Sequence, residues 1–181
     1  MKQALKTVFV LAGVIVAGIV WTREYMGMEP LIVRESDIRV EAEAIEEITD
    51  ANVQILKVLL GTEETAGQFT MFSDVFPLAG GKVPPHTHNW HDETFYVIRG
   101  SFRALNGDMG THVVGANTVV FTPRGQLHEW ESLEDDSKFL VFYTPGGWEH
   151  YYNAVRELTD EQRADDEFMK NFQESYDEYF Q

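Results

Sequence analysis

The sequence predicts an all-β domain, a sandwich or closed barrel of short strands, with an apolar segment before it and α-helices after it. Three observations lead there. Between residues 53 and 143, short β-branched and aromatic runs recur at close spacing, split by Gly and Pro turns. Residues 8–21 are uninterruptedly apolar. Phe168, Phe172, Tyr176 and Phe180 recur at four-residue intervals, the spacing of one helical face. A hydrophobic fraction of 44% over 181 residues suffices for one packed domain with appendages.

Taken in order, the apolar run follows Lys2 and Lys6, as an h-region follows a basic n-region. As a helix it rises about 21 Å, short of the roughly 30 Å hydrocarbon core. Leu5 and the aliphatic stem of Lys6 lengthen it to a marginal span. Trp21 and Arg23 stand where interfacial anchors belong, and no clean Ala-x-Ala cleavage site follows. Residues 1–26 are therefore read as an uncleaved signal-anchor with a cytoplasmic N-terminus. The folded domain then lies in a periplasmic or extracellular space; secretion after signal cleavage is the alternative. Residues 27–52, with Glu41, Glu43, Glu46 and Glu47 close together, read as an acidic spacer or short helix.

Strands are expected over 53–60, 69–76, 93–98, 102–105, 111–114, 118–122 and 138–143, with Asn106-Gly107 as a hairpin signal. Together they make a barrel over 53–146. Residues 147–181 form a helical extension. It begins with a helix over 148–155 and continues with a capping box, Thr159 as N-cap and Gln162 at N3. The aromatic stripe from Phe168 through Phe180 then packs on the barrel.

Thirty acidic residues against 14 basic give a net charge of −16. That excludes the clustered Lys and Arg a nucleic-acid binder needs to neutralise phosphates. It equally disfavours broad adhesion to anionic lipid, so the only membrane contact expected is through the N-terminal helix. With no cysteine, disulfides and thiolate ligands are excluded, and any metal is held by His, Asp, Glu or backbone.

The densest chemistry lies in the segment GGKVPPHTHNWHDETFYVIRG, residues 80–100. His86 and His88 stand two apart, so on an extended strand both imidazoles point one way. Glu93 follows just before the apolar run Phe95-Tyr96-Val97-Ile98, and His128 comes three residues after the turn Pro123-Arg124-Gly125. Either of the first two histidines alone reads as a loop residue. Three imidazoles and a carboxylate converging in a barrel make a mixed nitrogen/oxygen site for a divalent first-row metal: Fe, Mn, Ni, Co or Zn. Four protein ligands leave two positions open on a six-coordinate ion, room for a substrate oxygen and dioxygen. His91 competes for a place in this set, though its parity and loop position favour a solvated residue; His112 and His150 read as surface or supporting groups.

Gly80-(x)5-His86-x-His88-(x)4-Glu93-(x)6-Gly100 resembles the first cupin motif at every defined position, and Pro123-x-Gly125-(x)2-His128 resembles the core of the second. Two positions depart from the second motif. Asn117 stands where it opens with glycine, and asparagine tolerates left-handed backbone. Ser132 stands where it closes with asparagine. The resemblance implies a small jelly-roll β-barrel with His86, His88, Glu93 and His128 as metal ligands inside it. PPHTH, the run from Asp92 to Gly100 and the tail Thr144-Pro145-Gly146-Gly147-Trp148-Glu149 look most like the quercetin 2,3-dioxygenase-like single-domain group.

That resemblance implies a metal-dependent dioxygenase acting on a small phenolic or enolisable, flavonol-like substrate with O2. Glu93 would be both ligand and base, and Phe95, Val97, Phe121 and Trp130 would form the substrate wall. The alternatives are a metal-dependent isomerase, lyase or hydrolase of a small metabolite, and a barrel that captures a ligand without turnover. An inward Lys, Arg or Tyr would favour the first alternative, with Arg103 and Arg124 as candidates. A homodimer is expected by the same analogy.

Overall fold

A computed structural model of the protein describes residues 31–37, 51 and 53–180. The chain divides into two compact units, Met1–Ile32 and Val33–Gln181. The signal-anchor expected over 1–26 and most of the 27–52 spacer lie outside the described residues. The strands, the helices and the histidine-rich segment all belong to the second unit. Among the described residues, no helix is long and apolar enough to cross a membrane.

The strands are β1 (Ile55–Leu60), β2 (Thr70–Phe76), β3 (Lys82–Thr87), β4 (Asp92–Arg99), β5 (Ser101–Asn106), β6 (Thr111–Gly115), β7 (Val119–Thr122), β8 (His128–Ser132), β9 (Ser137–Thr144) and β10 (Tyr179–Phe180). They form two five-stranded sheets, in the orders β1-β2-β9-β4-β7 and β10-β3-β8-β5-β6. Neighbouring strands are antiparallel throughout, the jelly-roll arrangement the sequence predicts. Three of these strands, β3, β8 and β10, are not among those expected from periodicity. In β3 and β8 the metal-type residues and prolines interrupt the apolar alternation, and β10 is too short to carry a pattern.

Alternation decides what the sheets enclose. Along β4, Glu93, Phe95 and Val97 are buried on one face, opposite Tyr143, Val141 and Phe139 of β9. Along β8 the inward residues are His128, Trp130 and Ser132. The apolar half of the interior is dense. Phe95 lies 3.7 Å from Trp130 and 4.6 Å, edge-on, from Phe139, measured between ring centroids. Phe76 packs on Phe102 and Phe139 at 5.5 Å. Such aromatic contacts add about 0.5–1.5 kcal/mol each beyond area burial. The polar half is where the histidines gather.

Two turns carry the backbone signals seen in the sequence. Asn117 adopts φ +66°, so asparagine performs the turn that glycine makes in the related motif. Gly100, between β4 and β5, has φ +73°, and a Cβ there would collide with the Ser137 side chain. The Asn106-Gly107 signal marks the β5–β6 connection, which is longer than a two-residue hairpin because a 3-10 turn, Gly107–Met109, is inserted.

After the barrel come three helices, α2 (Glu149–Arg156), α3 (Asp160–Arg163) and α4 (Asp166–Ser175), a four-residue helix α1 (Thr62–Thr65) having preceded β2. The Thr159–Gln162 capping box is formed reciprocally. Phe168 stacks on Phe172, and Phe172 meets Tyr151 and Tyr176. The stripe stops there, and Phe180 is a correction to the helical extension. Asp177 takes φ +71°, the chain reverses, and Tyr179 and Phe180 pair with Thr87 and His86 as β10. A four-residue interval marks a helical face only as far as the helix runs.

The helical extension is fastened by Glu149. Its carboxylate accepts from Thr62 N at 2.6 Å and from Thr70 Oγ1 at 2.5 Å. Burial alone would raise this carboxyl; the hydrogen bonds from Thr62 and Thr70 outweigh it and hold it down at about 2. Glu149→Ala is expected to destabilise the domain by about 1–3 kcal/mol, since two donors lose their acceptor. Because the folded value lies below the ordinary 4.5, this contribution is complete above pH 4.5 and fades as pH falls toward about 2. Urea unfolding of both proteins at pH 7 and pH 3 measures it; an equal difference at the two pH values would refute the ionic origin.

Candidate metal centre

The site begins with a defect in β3. Val83 pairs with Trp130, and His86 pairs with His128, so three steps on β3 oppose two on β8. That extra residue is a β-bulge. Pro84 and Pro85 sit within it; neither has an N–H to give the ladder. The bulge resets the side-chain parity. Val83 and His86 both face inward, where an unbroken strand would have sent His86 out. His88 follows just beyond the end of β3. Gly125 N donates to His88 O at 2.6 Å and ties the turn before β8 to this segment.

His86, His88, Glu93 and His128 converge. One ligand atom from each lies within 4.8 Å of all the others, and all four residues are buried. Each imidazole has its Nδ1 fixed by a backbone carbonyl: His86 by Pro84 O at 2.7 Å, His88 by Asp177 O at 2.8 Å, His128 by Gln126 O at 3.0 Å. A carbonyl only accepts, so Nδ1 carries the proton and a neutral ring offers its Nε2 lone pair. His88 Nε2 lies 3.2 Å and His128 Nε2 2.8 Å from Glu93 Oε2. Lone pairs held that close to a carboxylate require either protons or a shared cation between them.

The electrostatics point the same way. Burial pushes the His86 imidazole down to about 3, with His128 adding to the effect, so this ring stays neutral. Burial would raise Glu93, yet His128 and His88 hold it below the usual carboxylate range, leaving it ionised. Burial lowers His88, and its hydrogen bond to Glu93 more than reverses this. Three carbonyl-anchored imidazoles turning their Nε2 atoms to one ionised carboxylate form a donor set that fits a divalent transition metal.

The remaining predicted site residues part company. Phe95 and Trp130 border the small cavity beside His86 and Glu93, but both are packed core. Val97 is fully buried among the core aromatics, away from that cavity. Phe121 is a correction: it is 53% exposed on the outer face of β7, lining a surface groove of about 460 Å³ with Met109, Val113 and Val119. Its pairing with Thr94 sets that parity, one residue off the inward Val120 and Thr122. Arg103 pairs with Glu131, and Arg124 forms a two-pronged pair with Asp92, both on the surface. His91 is not a solvated loop residue. Its Nδ1 contacts Asp177 Oδ2 at 2.7 Å.

Asp177 is the residue the sequence did not signal. Its carboxylate accepts from the backbone N–H of Asn89, Trp90 and His91, and its carbonyl accepts from His88. Glu178, next to it, turns its side chain into the barrel. Asp74, Tyr143 and Tyr152 reach the same interior space. Only Asp74 had a readable cue, a charge sharing strand parity with Phe72 and Phe76.

Residues 76–145 match the family model of the Cupin domain. No curated protein matches the chain. Among solved structures, the chain is similar to KdgF from Halomonas sp., at 17% identity and a TM-score of 0.54 over 66% of this chain and 99% of that one. It is similar to the polyketide cyclase RemF from Streptomyces resistomycificus, at 26% identity and a TM-score of 0.51 over 64% and 80%. An RmlC-like cupin from Shewanella frigidimarina NCIMB 400 follows at 16% identity and a TM-score of 0.50 over 65% and 93%.

Replacing Asp177 by Ala is expected to weaken divalent-metal affinity about 10–100-fold, the usual cost of losing a group that orients a ligand. The loop 89–91 that carries His88 toward Glu93 loses four bonds. Competition against a coloured chelator measures this; unchanged affinity would show that the loop holds His88 unaided.

Proposed function

We propose, from the match of residues 76–145 to the Cupin domain model, that the barrel is a cupin and that this protein is a metal-dependent enzyme, a dioxygenase acting on a small phenolic or enolisable substrate. The observation that carries the reading is the burial and convergence of His86, His88, Glu93 and His128. A divalent ion there supplies Lewis acidity toward a substrate oxygen. The chain's own contribution is orientation and proton handling. Three backbone carbonyls hold the imidazoles, and Glu93 Oε2 is the base nearest an acidic substrate hydroxyl. The Phe95–Trp130–Phe139 layer closes one side of the site with apolar rings.

The interior space beside His86 and Glu93 is about 20 Å³. That accommodates roughly one water-sized group. A phenolic ring would therefore need the segments around this space to part, and motions of this kind often limit turnover.

A second reading is metal-dependent cyclisation or isomerisation without oxygen. It draws on the 26% identity to a polyketide cyclase and on the two tyrosines facing the interior, Tyr143 and Tyr152. Oxygen consumption separates the two. Protein loaded with Fe, Mn, Ni or Co is expected to take up oxygen with phenolic substrates. Glu93→Gln is expected to lower that rate at least about 100-fold, within the range assigned to a positioned acid–base group. Turnover under strictly anaerobic conditions would favour the second reading.

The apolar 8–21 segment is read as an anchor holding the domain outside the cytoplasm. Alkaline carbonate extraction of membranes is expected to leave the full chain in the pellet; release into the supernatant would refute the anchor.

A further inference from the structure

Two carboxyl groups face the candidate metal centre from outside its ligand set. Asp74 projects from β2 and Glu178 from the segment before β10, so they reach one cavity from opposite sheets. Asp74 is 3% exposed and Glu178 6%. Each has one partner: the Val75 backbone N–H bonds Asp74, and the Tyr151 hydroxyl bonds Glu178. Each also leaves one oxygen, Asp74 Oδ1 and Glu178 Oε2, without a hydrogen-bond partner. Buried carboxyl oxygens are ordinarily satisfied, and an orphan marks a missing partner. The remaining polar groups around this space are His86, Glu93, Tyr143, Tyr152, Gln54 and the indole N–H of Trp130, which also lacks a partner, and among the described residues no lysine or arginine lines it.

We propose that Asp74 and Glu178 are the substrate-selecting pair of this site, taking a small ligand that bears no negative charge and offers hydroxyl or amino donors. The proposal rests on the metal-centre reading above. It goes beyond that reading by fixing which ligands the site prefers. Carboxylates and phosphates would add buried negative charge beside the ionised Glu93, with no lysine or arginine lining the space to compensate it. An amino group has N–H donors enough for both oxygens, whereas a single hydroxyl donates to one of them. The cavity of about 20 Å³ has room for one such group beside His86 and Glu93. Burial pushes Asp74 well above its ordinary value and Glu178 up to about 7, so this interior disfavours buried negative charge, and an anionic ligand meets the same penalty.

The test uses full-length protein loaded with Co(II), whose visible spectrum reports ligands entering the site. It is titrated with 1,2-ethanediol, ethanolamine and glycolate. In the native protein, ethanediol or ethanolamine is expected to bind at least as tightly as glycolate; whichever of the two wins identifies hydroxyl or amine as the preferred donor. Asp74→Asn and Glu178→Gln are each expected to shift the affinity ratio at least tenfold toward glycolate, with metal content unchanged. Tighter native binding of glycolate than of both other probes overturns the proposal. So does a ratio that neither substitution moves, or the absence of any response to ethanediol and ethanolamine, which assigns the cavity to a structural water alone. If a variant fails to fold, the native order of affinities still decides. Native protein that takes up no Co(II) overturns the metal-centre reading and the proposal together, whereas uptake with the wrong selectivity overturns only the proposal.

Discussion

Everything in this domain turns on how one ionised carboxylate survives inside an apolar barrel. Glu93 is 2% exposed, and an unpaired charge at that depth costs several kcal/mol. Two histidines answer it directly, and their far nitrogens are in turn fixed by main-chain carbonyls. The partners come from different parts of the chain. Pro84 sits in the bulge, Gln126 in the turn before β8 and Asp177 in the C-terminal segment. Each ring orientation is therefore a consequence of backbone geometry, which is stiffer than any side-chain contact. The site exists because the fold delivers three carbonyls to the right places.

The bulge in β3 shows why the local sequence takes the form it does. Two consecutive prolines would be a fault in a central strand, because each removes a ladder hydrogen bond. Here they lie where the register already breaks, between Val83 and His86. The break turns His86 inward and makes it the register partner of His128. Their rings lie 4.1 Å apart between centroids. A loss in sheet pairing thus becomes a gain in site geometry.

Much of this was legible in the sequence, for identifiable reasons. Strand alternation revealed β4 and β9 because their inward residues are uniformly buried. The histidine spacing revealed the cluster because those residues belong to the two motif segments that the topology pairs. Asn117 was readable because backbone sterics are local. The misreadings are all non-local. The exposure of Phe121 follows from its pairing with Thr94, which no single-strand pattern carries. His91 acquired a partner 86 residues away. Phe180 kept the helical interval after the helix had ended at Ser175, since an aromatic stripe looks the same whether or not the backbone turns beneath it.

The strap from Asp177 to Phe180 joins these threads. One residue, Asp177, closes the loop 89–91, anchors His88 and holds a left-handed turn. Lifting it exposes three backbone donors and frees two imidazoles, His88 and His91, so the open state is disfavoured by several hydrogen bonds at once. Each charge-assisted bond of this kind contributes about 1.5–3 kcal/mol, far more than a two-strand-residue pairing supplies. The Asp177–Phe180 segment is therefore held firmly to the 88–91 loop and to β3. The strap therefore couples the orientation of His88 to the placement of Glu178, because Asp177 and Glu178 are neighbours in the chain.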